Sequence, residues 1–239
     1  MLQRIAVTRD EIKGLRGLLF DKDGTLFGFQ ESWGPAFSGL LAQLEGLGAD
    51  PAALAGAIGF ERRTQRFAPH SPVIAGTPDD LAALVAPHVP KEALDGLLAL
   101  VETWSGAVAM APVTDLAALM SKLGDAGYAL GVATNDAEAA ARAHLGNLAS
   151  RFGYLAGFDS GHGAKPGPGM VTAFIEAAGL APHQVAMIGD SLHDLRAAEA
   201  AGARRIAVLT GVAPAQALAP HADLVLDSIA DLPGLLEMN

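Results

Sequence analysis

The chain of 239 residues contains no cysteine, which excludes disulfides and thiol catalysis, although it assigns no compartment. No apolar run reaches membrane-spanning length. The opening Met1-Leu2-Gln3-Arg4, followed by Arg9-Asp10-Glu11, lacks the apolar core of a signal peptide, so cytoplasm is the expected location. Positive charge is scarce: 16 Lys and Arg stand against 26 Asp and Glu, a net charge of −10. That field argues against nucleic acid or a membrane surface as partner, and any anionic substrate needs local positive help. The seven histidines show no mutual spacing of a metal site and, with cysteine absent, nothing suggests zinc. No internal repeat or low-complexity linker interrupts the chain beyond Ala-rich helices. What is present is 51% hydrophobic and 18% charged, enough for a sizeable core in one or two domains.

The most informative segment is Asp21-Lys22-Asp23-Gly24-Thr25-Leu26, directly after the apolar run Leu18-Leu19-Phe20. Residues i and i+2 of a strand share a side, so Asp21 and Asp23 can face one reaction centre while Gly24 permits the turn that follows. The same pattern also ends ordinary strands or binds calcium. Three later segments change the weighting. Leu130-Gly131-Val132-Ala133 runs into Thr134-Asn135-Asp136, with Asp136 placed to cap an Ala-rich helix whose N-terminus favours an anion. Lys165 sits on the bent Gly161-His162-Gly163-Ala164-Lys165-Pro166 loop. Val185-Ala186-Met187-Ile188-Gly189 ends in Asp190, with Asp194 four residues on. If these carboxylates converge, their repulsion demands a cation, and Mg²⁺ suits hard oxygen ligands.

In this order the four segments resemble the haloacid dehalogenase-like hydrolase superfamily, and within it the phosphoglycolate phosphatase-like branch, over nearly the whole chain. The resemblance implies Asp21 as nucleophile and Mg²⁺ ligand, Asp23 as general acid/base and backbone-carbonyl ligand, Asp190 as second carboxylate ligand, and Asp194 as a ligand or an orienter of metal-bound water. It implies Thr134 and Lys165 as catalytic phosphate holders, joined in substrate binding by Gly24, Thr25 and Asn135. An acid two residues after the nucleophile argues against dehalogenation, which protonates no leaving group.

Apolar strands near 129–133, 185–189, 205–208 and 223–226 alternate with helical stretches near 137–145, 169–178 and 192–201. The alternation predicts a mainly parallel sheet covered by helices, and the resemblance implies the doubly wound, Rossmann-like α/β form of it. About a hundred residues separate Thr25 from the strand leading to Thr134, far more than the roughly thirty of a βαβ unit. A helical cap over 28–107 is therefore expected, inserted in a core of 1–27 and 108–239. Its stripes are Phe37, Leu40, Leu41, Leu44 and Leu94, Leu97, Leu98, Val101, while Leu116, Leu119, Met120 and Leu123 belong to the helix returning to the sheet. Arg62, Arg63 and Arg66 read first as a solvated helix face and second as a substrate anchor. Trp33 either lines the pocket or fastens the cap to the core.

The expected activity is Mg²⁺-dependent hydrolysis of a small phosphorylated metabolite through an aspartyl-phosphate, with 2-phosphoglycolate the first substrate to consider. A sugar phosphomutase of the same superfamily and a non-enzymatic binding protein that retains the fold are the alternatives. The sequence assigns no oligomeric state.

Overall fold

The computed structural model describes residues 12, 14–74 and 76–237, so the N-terminal reading at residues 1–11 lies outside the described residues. Eight strands follow in chain order: β1 (Gly17–Phe20), β2 (Phe60–Glu61), β3 (Arg66–Phe67), β4 (Ala129–Ala133), β5 (Tyr154–Ala156), β6 (Val185–Gly189), β7 (Arg204–Val208) and β8 (Leu224–Leu226). Six form one sheet in the order β5-β4-β1-β6-β7-β8, every neighbouring pair parallel. The chain winds outward from β1 through β4 to β5, then returns to the other side of β1 through β6, β7 and β8. The switch point therefore lies at β1, where open α/β sheets place their ligands beyond the carboxyl ends of the strands.

The helices are α1 (Phe29–Gly46), α2 (Pro51–Ala57), α3 (Pro78–Val85), α4 (Leu97–Gly106), α5 (Leu116–Asp125), α6 (Glu138–Leu145), α7 (Gly169–Ala178), α8 (Leu192–Ala201), α9 (Ala215–Leu218) and α10 (Leu232–Leu235). Central strands bury both faces, which is why they read as unbroken apolar runs. Leu18, Phe20, Val132 and Ile188 face Leu116, Met120 and Leu123 of α5, while Leu19, Ala133 and Met187 face Val171 and Phe174 of α7 and Ala197 and Ala198 of α8. This is the helix-covered parallel sheet expected from the alternation, in the doubly wound form that the resemblance implies. The edge strand β5 was not foreseen: it is three residues long and mostly half-buried, too short to show a period.

Between β1 and α5 the chain leaves the sheet and builds a separate apolar cluster from Phe29 to Val108, including Phe37, Leu40, Leu44, Leu54 and Val101. It leaves and returns side by side: Gly28 N donates to Ala111 O at 2.8 Å and Val113 N to Leu26 O at 3.1 Å. Two local readings are corrected. Residues 61–66 are the tip of the β2–β3 hairpin, with Phe60 paired to Phe67 and Glu61 to Arg66, rather than a helix face. In the second stripe Leu97 and Val101 are buried, but Leu94 and Leu98 are exposed, because residues 91–96 form a 3₁₀ turn that breaks the α-helical spacing.

Candidate active site

The apolar strands β1, β4 and β6 deliver Asp21, Thr134 and Asp190 to one edge of the sheet, and all three side chains are buried. Asp21 N extends the ladder by donating to Ile188 O at 2.8 Å. Lys165 arrives from the loop before α7, and Asn135 fixes that loop at both backbone atoms: its Oδ1 accepts from Lys165 N at 2.8 Å and its Nδ2 donates to Lys165 O at 2.9 Å. The Lys165–Pro166 peptide is cis. The Lys165 ammonium donates to Asp21 Oδ1 at 2.6 Å, Asp194 Oδ1 at 2.6 Å and Ala133 O at 2.9 Å, which uses all three of its protons. Ser191 caps α8 and in doing so holds the other oxygen of Asp194, its Oγ donating to Oδ2 at 2.6 Å.

Carboxylate oxygens of Asp21, Asp190 and Asp194 lie within 4.8 Å of one another. Three carboxylates against one ammonium leave a surplus of negative charge, which fits a hard divalent cation on oxygen ligands. Burial, with the charges of Asp194 and Asp23 added and Lys165 opposing, pushes the Asp21 carboxyl up to about 7. Burial and the charges of Asp21 and Asp194 raise Asp190 well above the usual carboxylate range. For Lys165 burial works against the charged form, yet Asp194 and Asp21 outweigh it and hold its pKa above that of a free lysine. Two glycines shape the surroundings of Asp190. A Cβ at Gly24 (φ +79°) or at Gly211 would overlap its carboxyl group, and Thr210 Oγ1 donates to Gly24 O at 2.6 Å to close that rim.

Lys22 turns the other way and is fully buried. Its ammonium donates to Asp23 Oδ2 at 2.6 Å and to His144 Nδ1 at 3.1 Å, and stands 3.3 Å from Asp136 Oδ2, near enough for charge attraction although out of line for a hydrogen bond. His144 Nε2 donates to Ser105 O at 2.8 Å, which sets the Nε2–H tautomer and leaves Nδ1 to accept. Burial and the charge of Lys22 lower the His144 pKa, while burial raises that of Asp136. The other oxygen of Asp23 accepts from Trp33 Nε1 at 2.9 Å, so Trp33 both lines the cavity and ties α1 to the sheet. Asp136 is not the helix cap expected of it: Asp159 Oδ1 takes Glu138 N at 2.8 Å, freeing Asp136 to face Lys22.

Asp21, Asp23, Thr134, Asn135, Lys165 and Asp190 line one cavity, with about 80 Å³ open to the centres of water-sized molecules. Asp194 stands behind Lys165, off the cavity wall, and Thr25 is buried with its hydroxyl unpaired. Arg62 and Arg63 are exposed on the hairpin tip and do not reach the cavity. Sequence reasoning missed Lys22, Asp136 and His144 as a group.

A family model of haloacid dehalogenase-like hydrolases matches residues 15–202. Protein CbbY of Cereibacter sphaeroides is 31% identical over 233 residues, covering 92% of this chain and 95% of that protein. A phosphoglycolate phosphatase of Escherichia coli is 29% identical over 243 residues, covering 93% of each. The crystal structure of CbbY from Rhodobacter sphaeroides in complex with phosphate superposes with a TM-score of 0.70 at 25% identity, over 94% of this chain and all of that one.

Proposed function

The chain belongs to the haloacid dehalogenase-like hydrolase family, and from that premise we propose that it is a Mg²⁺-dependent phosphomonoesterase of a small phosphorylated metabolite. The observation that carries this reading is the convergence of Asp21, Lys165, Asp194 and Asp190 at the end of β1, with Asp23 on the same cavity wall. Asp21 attacks the phosphorus and takes the phosphoryl group as an aspartyl-phosphate, which divides one difficult hydrolysis into two displacements. Asp23 gives its proton to the departing alkoxide, so the alcohol leaves neutral. A water then attacks the same phosphorus, Asp23 takes that water's proton, and Asp21 is regenerated as inorganic phosphate departs. Thr134, and Lys165 through its charge, stabilise the phosphoryl oxygens.

Asp21, Asp190 and the backbone carbonyl of Asp23 would hold the Mg²⁺, with Asp194 orienting the shell. When bound, the ion supplies charge neutralisation between nucleophile and phosphate. Residues 28–107 act as the cap that covers the cavity, with Trp33 as its contact to Asp23. The relatives' names make 2-phosphoglycolate the first ester to assay.

Phosphate release from a panel of phosphomonoesters, with Mg²⁺ and with chelator, tests the reading. Metal-dependent release that vanishes in Asp21→Asn is the expected result. Turnover that needs a bisphosphate activator and releases no phosphate would indicate the mutase, and ligand binding without turnover a binding protein.

A further inference from the structure

The cavity has two unlike walls. All its charged side chains, Asp21, Asp23, Asp136, Lys165 and Asp190, belong to the sheet edge. Opposite them the helical insert presents Phe29, Trp33, Ile74, Leu81, Val101 and Trp104, and among the described residues no lysine, arginine or histidine of the insert reaches the wall.

Among the described residues, the few donors on that side are already spent within the protein. Trp33 Nε1 donates to Asp23 and Trp104 Nε1 to Ala36 O at 3.2 Å. Ser105 Oγ donates to Glu102 O at 3.1 Å and Thr77 Oγ1 to Asp80 Oδ2 at 2.8 Å. Four described backbone N–H groups of the bordering loop are used as well: Val73 N on Ser71 Oγ, Ile74 N on Ser71 O, Gly76 N on Val73 O and Thr77 N on Asp80 Oδ2. Aromatic rings fix the wall, Trp33 to Trp104 at 5.6 Å and Phe37 to Trp104 at 4.8 Å between centroids.

Resting on the phosphatase reading, we infer that the leaving group of the preferred substrate is an uncharged, apolar alcohol, and that the insert excludes carboxylated or polyhydroxylated ones. A carboxylate set against this wall gives up its water and finds no donor in return, and a sugar strands several hydroxyls in the same way. An alkyl group loses nothing and buries apolar area.

Isobutyl phosphate and 2-phosphoglycolate make the decisive pair, because both are esters of primary alcohols and an isopropyl group replaces a carboxylate of similar shape. The full chain is assayed with Mg²⁺ on both, with glycerol 3-phosphate as the polyhydroxyl case. The expected kcat/KM for isobutyl phosphate exceeds that for 2-phosphoglycolate by about 10- to 100-fold, the range set by leaving a desolvated charge unpaired. If 2-phosphoglycolate or glycerol 3-phosphate is the better substrate, the inference is overturned and the phosphatase reading stands. If no ester yields phosphate, both fall. Ile74→Lys, on the half-buried bordering loop, gives the wall a cation and is expected to move the ratio at least about tenfold toward 2-phosphoglycolate. An unchanged ratio in the folded variant means the wall never meets the leaving group, and overturns the inference.

Discussion

Two buried lysines flank the end of β1, each held between carboxylates, and they differ in what they face. Lys165 lines the cavity and sits among Asp21, Asp194 and Asp190, a group with negative charge to spare. Lys22 is sealed from the cavity, and its partners Asp23, Asp136 and His144 tie the sheet to the insert through Trp33 and Ser105. Burial and ion pairing are common to both, so neither marks a reagent by itself. Access to the cavity does, because only there can an ammonium meet a substrate.

The largest expected effect comes from removing the nucleophile on the Lys165 side. Asp21→Asn is expected to lower kcat by about 10⁴-fold or more while circular dichroism and cooperative unfolding are retained. Near-normal activity would end the distinction between the two sides. On the Lys22 side the loss should include stability as well as activity, since Asp23 is also the proposed acid/base: Lys22→Met leaves Asp23 and Asp136 without their buried counter-ion and is expected to cost about 3–5 kcal/mol in urea unfolding. A cost below about 1 kcal/mol would show that the sealed cluster braces nothing.

A subtler contrast is one of pH. The Asp21 carboxyl, pushed up to about 7 mainly by burial, holds its proton more tightly folded than unfolded, where its value is 3.8. The folded chain therefore binds more protons than the unfolded one between those values, and the stability contributed by Asp21 is lost as pH rises through about 7. His144 acts in the opposite sense, because its lowered pKa favours stability above the unfolded value of 6.5 and loses it as pH falls. In metal-free protein, the difference between wild-type and Asp21→Asn melting curves isolates the Asp21 part: the variant should gain on wild type as pH rises from 5 to 8, and Mg²⁺ should abolish the gain. A difference flat with pH would contradict the burial of that charge. Smallest of all, Arg62→Ala and Arg63→Ala are expected to change stability by less than about 0.5 kcal/mol and leave KM within about twofold, since neither residue reaches the cavity. A large KM change would bring the hairpin tip into the site.

Where the sequence carried a clear period and clear ends, it could be read to the residue. α8 runs over the expected 192–201 because Ser191 caps it, Gly202 ends it in the left-handed conformation and β6 precedes it as an unbroken apolar strand. The convergence of Asp21, Asp190 and Asp194 was legible for a related reason: each follows a strand or begins a helix, and parallel strands place those ends together, while Lys165 reaches them from the bent loop before α7. The β2–β3 hairpin left no such trace, as two-residue strands have no period and three nearby arginines resemble a solvated helix face. The Lys22 group was hidden for a different reason. A lysine carries no mark of its burial until the tertiary fold brings Asp136 and His144 from a hundred residues away.

The paired crossing between residues 26–28 and 111–113 has a consequence for how such a chain can vary over generations. Because departure and return are hydrogen-bonded neighbours, the sheet registers the excursion between them largely as a closed loop, tied back through Trp33 to Asp23 and Ser105 to His144. Loop-closure entropy grows so slowly that doubling the excursion costs only about 0.6 kcal/mol. Lengthening or trimming the segment away from Trp33 and Ser105 therefore leaves the sheet edge and its carboxylates almost untouched, and new chemistry can be recruited by rewriting one wall of the cavity while the other is inherited unchanged.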